Sequence, residues 1–212
     1  MKHELSSNQK AHWERIFRVK EGEELSWYQP RLEMSLALLP LTGVSTAGAL
    51  IDIGGGTSTL VDDLLDAGYA DVSVLDIAAP ALKRVRARLG ERAATVHWIE
   101  ADVRKVALPS ARFDVWHDRA VFHFLTGKES RKRYASNMRS ALKYGGHAII
   151  ATFGPDAPAQ CSGLDVVRYS PEPLLAELGP GLRMIHCARE LHRTPGGKEQ
   201  EFTYVCLQKM ND

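Results

Sequence analysis

The stretch ALIDIGGGTSTLVDDLL, Ala49 to Leu65, sets an unbroken apolar run against three consecutive glycines and then against a patterned helix. The run ALIDI (Ala49 to Ile53) has the continuous apolar character of a strand covered on both faces. From Thr57 the period changes: Leu60, Val61, Leu64 and Leu65 fall on one helical face, and Gly68 stops the helix. Strand, glycine turn and helix start, in that order, suit a nucleotide-type ligand. Glycines let a ligand approach bare backbone, and the helix start presents unpaired N–H groups.

Outward from this point the same alternation repeats. DVSVLDI (Asp71 to Ile77) is the second expected strand, followed by a helix marked by Leu82, Val85 and Leu89 and ended by Gly90. VHWIEAD (Val96 to Asp102), FDVWHD (Phe113 to Asp118) and HAIIATF (His147 to Phe153) supply the third, fourth and fifth. A helix carrying Tyr134, Met138 and Leu142 on one face is expected to stop at Gly145-Gly146. Such alternation implies βαβ units and a parallel sheet. After a Pro-rich loop and a short helix near Pro171 to Leu178 the pattern changes. LRMIHCARELHR and QEFTYVCLQK flank TPGGKE, which reads as the turn of an antiparallel hairpin. Residues 1 to about 40 are expected as helices laid across the sheet edge.

The 212 residues, 44% hydrophobic and 25% charged, suit one globular domain spanning 1–212. A formal net charge of +1 offers no electrostatic footprint for nucleic acid or anionic membrane. The densest basic run, Arg84 to Arg92, reads as a solvated helix face. No apolar N-terminal core and no apolar run long enough for a membrane helix is present, so a cytoplasmic protein is expected. Cys161, Cys187 and Cys206 are far apart and lack paired spacing, which argues against disulfides and a metal site.

The glycines decide between two ligand classes. The dinucleotide fingerprint GxGxxG fits Gly54 and Gly56, but its third position is Thr59. What stands instead is Asp52-x-Gly54-x-Gly56. Here the chain resembles the class I S-adenosylmethionine-dependent methyltransferases, whose first motif is an acidic residue followed by GxG. That resemblance, over residues 45 to 210, implies a Rossmann-like, mostly parallel seven-stranded sheet with an antiparallel C-terminal hairpin strand, below an N-terminal helical cap at 1–40. It implies S-adenosylmethionine as cofactor and S-adenosylhomocysteine as product. Gly54, Gly55, Gly56 and Thr57 would lie against the cofactor, with Asp52 orienting the loop or the ammonium group. Asp76, with Ile77 after it, would take both ribose hydroxyls, and Asp102 with Val103 would read the adenine.

The acceptor is expected beside the fourth and fifth strands. In WHDRAVFHFL the functional reading puts His117 at the methionine end of the cofactor, Asp118 beside the methyl group as a catalytic candidate, and Arg119 and His123 toward the acceptor; the alternatives are a packed His117, an Asp118–Arg119 surface pair and, favoured for His123, a histidine satisfied by backbone. The run through SRKRYASNM resembles the thiopurine and thiol methyltransferase branch, with His117 inserted between Trp116 and Asp118. HWERIFRVKEGEELSWYQP resembles the cap of these branches, in which Trp27, Tyr28 and Gln29, with Trp13, would cover the sulfonium, since aromatic faces attract positive charge. Trp13, Ile16 and Phe17 at helical spacing fit an ordinary core equally. Cys161 reads as a small buried loop residue, with contact to a soft acceptor as the alternative. The expected function is methyl transfer to a small nucleophile, a thiol or related soft atom by resemblance. The alternatives are protein lysine methylation and a non-catalytic module that binds the cofactor. A nucleic-acid substrate is not expected, because no Asn/Asp-Pro-Pro-Tyr follows the fourth strand.

Overall fold

Every residue of Ala49–Ile53 (β1) is buried, because β1 lies in the middle of a sheet covered on both faces. The computed structural model describes residues 2–211, with side chains from Gln9 onward. Asp71–Asp76 (β2), Val96–Glu100 (β3), Phe113–Arg119 (β4) and Leu142–Phe153 (β5) follow. Gln160–Cys161 (β6) and Leu164–Asp165 (β7) form a separate short hairpin, and Leu182–Arg193 (β8) and Glu199–Lys209 (β9) a long one. The main sheet has the order β3-β2-β1-β4-β5-β9-β8. β1 to β5 pair in parallel, and β9 runs antiparallel between β5 and β8. The expected α/β, Rossmann-like fold with its inserted antiparallel strand is the fold observed.

Alternation along β1 builds the two sides of the core. Leu50 packs with Leu60 and Leu64 of Leu60–Asp66 (α3) and with Val85 of Ala79–Leu89 (α4). Ile51 and Ile53 face the other way, toward Met138 of Lys128–Ala141 (α5) and Leu174 of Pro171–Leu178 (α6). Each such side chain contributes about 1.5–3 kcal/mol when taken fully out of water. Lys2–Val19 (α1) packs on α4, and Glu33–Leu38 (α2) brings Leu38 to the α3 side of the core.

Three expectations need correction. β2 stops at Asp76 and β3 at Glu100, because Asp76 and Asp102 each accept the backbone N–H two residues on, from Ala78 at 2.7 Å and Arg104 at 3.0 Å. Such turns compete with strand pairing. α5 ends at Ala141, and Leu142 already pairs with Phe113. Gly145-Gly146 instead form a bulge in β5 where the register shifts between Phe113 and Val115; a Cβ on Gly146 would meet Lys143 O at 2.9 Å. The basic run is the solvated face expected, with Arg86, Arg88 and Arg92 exposed; on that surface Arg88 reaches Asp62 Oδ2 and Ser58 O at 2.6 Å, and Arg92 pairs with Asp66. Residues 13 to 29 lie over the C-terminal ends of the central strands, where Trp13, Phe17 and Trp27 share a cavity with Asp76 and Gly54.

The exit of β4 is fixed from behind. Asp118 takes N–H groups from Val121 (2.8 Å) and Phe122 (3.2 Å) and the Tyr134 hydroxyl (2.5 Å), and Tyr134 accepts the Trp116 indole N–H at 2.9 Å. The turn so held includes Ala120 at φ 73°, a conformation that costs a non-glycine residue free energy. Tyr134→Phe would leave the Trp116 N–H and one Asp118 oxygen short of partners. We expect it to lower unfolding free energy by about 1–3 kcal/mol in a denaturant titration, with the helix and strand content unchanged.

Candidate active site

The glycine turn lies flat against β2 because its own donors are spent there. Gly54 N–H and Gly55 N–H both donate to Leu75 O, at 2.7 and 3.2 Å. Gly54 has φ 65°, and a Cβ on it would stand 2.0 Å from Val121 Cγ2, so only glycine fits between the turn and the exit of β4. Gly56 N–H donates to Asp76 Oδ2 at 2.8 Å, while Ala78 N–H takes Oδ1. Burial pushes Asp76 up to about 6, against the lowering effect of these two N–H groups and that of Ile77, and with some help from the Asp52 charge.

Asp52 is oriented by an imidazole rather than by the loop alone. His117 stands between Asp52 and α2, with Nδ1 2.7 Å from Asp52 Oδ1 and Nε2 2.9 Å from Ser35 Oγ. All three side chains are buried. The carboxylate accepts the Nδ1–H, which ties β1, β4 and α2 of the cap segment into one polar unit.

Two cavities meet at this edge. The first is walled by Trp13, Phe17 and Trp27, by Asp76 and Ile77, and by Asp102 and Val103; beyond these lie Arg119, Phe124, Cys161 and Phe202. The second is walled by Trp27, Tyr28 and Gln29, by Asp52, Gly55 and Thr57, and by His117. Gly54, Trp27 and Arg119 line both. Gly56 lies just behind, between the Phe17 ring and Asp76. The sequence-expected cofactor residues are therefore gathered around one pair of adjoining spaces. The Asp102 carboxylate is engaged by the Arg104 guanidinium at 2.8 and 2.6 Å.

Asp118 and His123 stand elsewhere than expected. Neither lines either of these two cavities, and both are fully buried. Burial pushes Asp118 up to about 7, against its three donors, and its acceptor capacity goes to the turn and to Tyr134. His123 accepts the Phe153 N–H at 3.0 Å through Nδ1 and packs edge-on against Phe124 and Phe153. Burial, with the Arg119 charge nearby, pushes it down to about 3, so it is a neutral packing residue.

Arg119 does reach the cavity. Its Nε–H donates to Tyr204 Oη at 3.0 Å, Nη1 donates to Trp27 O at 3.1 Å, and its guanidinium lies 4.5 Å over the Phe202 ring. Tyr204 in turn donates to Glu190 Oε2 at 2.9 Å, and Gln29 Nε2 donates to Glu190 Oε1 at 2.9 Å. Phe202, Tyr204 and Glu190 belong to the terminal hairpin, which the sequence marks only as a fold signature. Period-two alternation in QEFTYVC places Phe202 and Tyr204 on one face and is the signal that finds them. Cys161 sits in the cavity wall as a protonated thiol, its value raised by burial.

Residues 50–146 match the family model described as a methyltransferase domain. The matched residues run from β1 into β5 and carry the glycine turn, Asp76 and Asp102. Among the chain's relatives is the eEF1A lysine and N-terminal methyltransferase of Mus musculus, 28% identical over 108 residues, covering 51% of this chain and 15% of that protein. Another is the ubiquinone/menaquinone biosynthesis C-methyltransferase UbiE of Ectopseudomonas mendocina (strain ymp), 30% identical over 145 residues, covering 66% and 56% respectively. Among solved structures, the Burkholderia thailandensis 1,6-didemethyltoxoflavin-N1-methyltransferase with bound 1,6-didemethyltoxoflavin and S-adenosylhomocysteine has a TM-score of 0.73 at 19% identity, covering 99% of this chain and 90% of that one. This chain thus spans a small fraction of the mouse relative's length and about half of the bacterial one's. No helix of the described residues is long and apolar enough to cross a membrane.

The raised value of Asp76 sets a pH test. Ionised, it accepts on both oxygens; protonated, it must donate from one and competes with the Gly56 and Ala78 N–H groups. Affinity for S-adenosylhomocysteine should therefore fall as pH drops through about 6. Calorimetric titrations at several pH values on wild type and Asp76→Asn check this, with the step expected to vanish in the variant.

Proposed function

We propose that the protein binds S-adenosylmethionine across the C-terminal ends of β1, β2 and β3 and transfers its methyl group by direct displacement to a small nucleophilic acceptor. One observation carries this reading. The buried Asp76 carboxylate opens on the cavity, held by the Gly56 and Ala78 N–H groups with that of Ile77 beside them, and two adjacent ribose hydroxyls are the donors that would complete it. The residues present fit the cofactor. Gly54 leaves bare backbone beside Asp76, Val103 and Ile77 offer apolar contact to a ring, and the second cavity offers Asp52, Thr57 and Gln29 to an amino-acid end.

S-adenosylmethionine supplies the electrophilic methyl group. What the chain must supply is alignment and dryness. Trp27 and Trp13, 5.7 Å apart and edge to face, close the space from the cap side, where aromatic faces also favour a sulfonium. Arg119, Phe124, Cys161 and Phe202 bound the far end, which is where we place the acceptor. In this assignment Arg119 keeps its acceptor-facing role, and Asp118 becomes a positioning residue that holds the turn after it. A thiol or related soft atom is the acceptor class to test first. Such a nucleophile needs no carboxylate to take its proton, and the far wall carries a cation and apolar groups.

Protein lysine methylation is the second reading, favoured by the similarity to the eEF1A methyltransferase of Mus musculus. The Arg119 charge at the acceptor end weighs against seating an ammonium there. Titration with S-adenosylhomocysteine and, separately, NADH is the deciding first experiment; binding of the former alone is expected. A panel of thiols with labelled cofactor, beside a lysate, then separates the two acceptor classes. Binding of neither ligand by folded protein would sink the methyltransferase reading.

A further inference from the structure

Arg119 carries an unused donor. Its side chain is 6% exposed, two of its three nitrogens are engaged, and Nη2 is buried without a hydrogen-bond partner among the described residues. Glu190 Oε2 lies 3.7 Å from Nη2, beyond hydrogen-bond reach, and the two Glu190 oxygens already accept Gln29 and Tyr204. Glu190 therefore balances much of the guanidinium's charge without occupying its free N–H. The Phe202 face and the Tyr204 hydroxyl fix the plane of the guanidinium, so the donor is pre-oriented rather than free to turn away. A buried unpaired N–H costs stability unless something completes it. Arg119 stands at the junction of the two cavities, and the strained residue next to it, Ala120, is the kind of outlier that marks a functional wall.

Resting on the methyltransferase reading, we propose that Arg119 is a seat for an anionic group, a carboxylate, phenolate or thiolate, at the junction of the cofactor and acceptor spaces. Trp13, Trp27 and Phe124, with ring centroids 5.0 to 5.7 Å apart, flank this junction and favour a flat acceptor bearing the charge. The same chemistry is offered by the α-carboxylate of the cofactor itself, and the test separates the two sources.

Calorimetry on the full chain, with and without saturating S-adenosylhomocysteine, compares benzoate with its neutral match benzamide. Wild type is expected to bind benzoate at least about tenfold more tightly in the loaded state, and Arg119→Gln to lose that preference; this assigns the seat to the acceptor. A second arm compares S-adenosylhomocysteine with 5′-methylthioadenosine, which lacks the amino-acid end. If Arg119→Gln weakens the first about tenfold and leaves the second unchanged, the seat belongs to the cofactor carboxylate and the proposed chemistry stands. If neither preference depends on Arg119, the proposal is overturned. Arg119→Lys, which keeps the charge, and the wild-type preference alone cover the case in which the Gln variant does not fold. Failure of wild type to bind S-adenosylhomocysteine removes the methyltransferase reading instead, and benzoate binding to the unloaded chain then still decides whether the seat exists.

Discussion

A carboxylate buried at the end of β2 with no cation beside it can be held only by N–H groups, and the site depends on where Asp76 finds them. One comes from Gly56 on the turn after β1, another from Ala78 at the start of α4. The same turn gives its first two N–H groups to Leu75 O. β1, β2 and α4 are thus bound together at the one point where the sheet edge opens. Moving any of them would orphan a donor as well as a buried acceptor, which costs more than the loss of a single bond. The pressure of burial against these N–H groups also makes Asp76 sensitive to pH near neutrality, a property unusual for a carboxylate.

The strands, their order and the glycine turn were legible in the sequence because they rest on short-range patterns: unbroken apolar runs, a shift to helical period, and glycine where backbone must be bare. Strand and helix ends were less legible, since side chains made local turns at Asp76 and Asp102 and a bulge absorbed Gly145-Gly146. The candidate cofactor residues of β1, β2 and β3 came out together because they leave the C-terminal edge of the sheet, which topology alone determines. Asp118 and His123 did not. Their proximity in sequence to the end of β4 says where the backbone is, whereas alternation says which way the side chain points. His117 and Arg119 share one face of β4; Trp116 and Asp118 share the other, where Tyr134 of α5 bonds to both. Applied to WHDR, that rule separates the residue that reaches the cavity from the one that supports the turn.

The second determinant of the site is the linkage from Gln29 through Glu190 and Tyr204 to Arg119. It joins the cap to the terminal hairpin and to β4 across residues far apart in the chain. No periodicity marks it, because each member is an ordinary polar residue in its own element and gains meaning only when the sheet is assembled. Ser35, His117 and Asp52 make a similar linkage beneath the second cavity. Between them these two networks attach the cap segment to the sheet at both ends of the proposed cofactor space, so lid position and strand position are coupled.

The insertion of β9 between β5 and β8 also orders events in time. Phe153 finds its partner in Phe202 and His147 in Gln208, so this part of the sheet closes only after a long length of chain has been made. Parallel β1 to β5, with the glycine turn and Asp76, need nothing from the hairpin for their own pairing. A chain emerging from the ribosome would therefore present the strands around Asp76 first and the wall of Phe202 and Tyr204 last, so the cavity that Asp76 and Phe202 both line is closed by the final stretch of chain to be made.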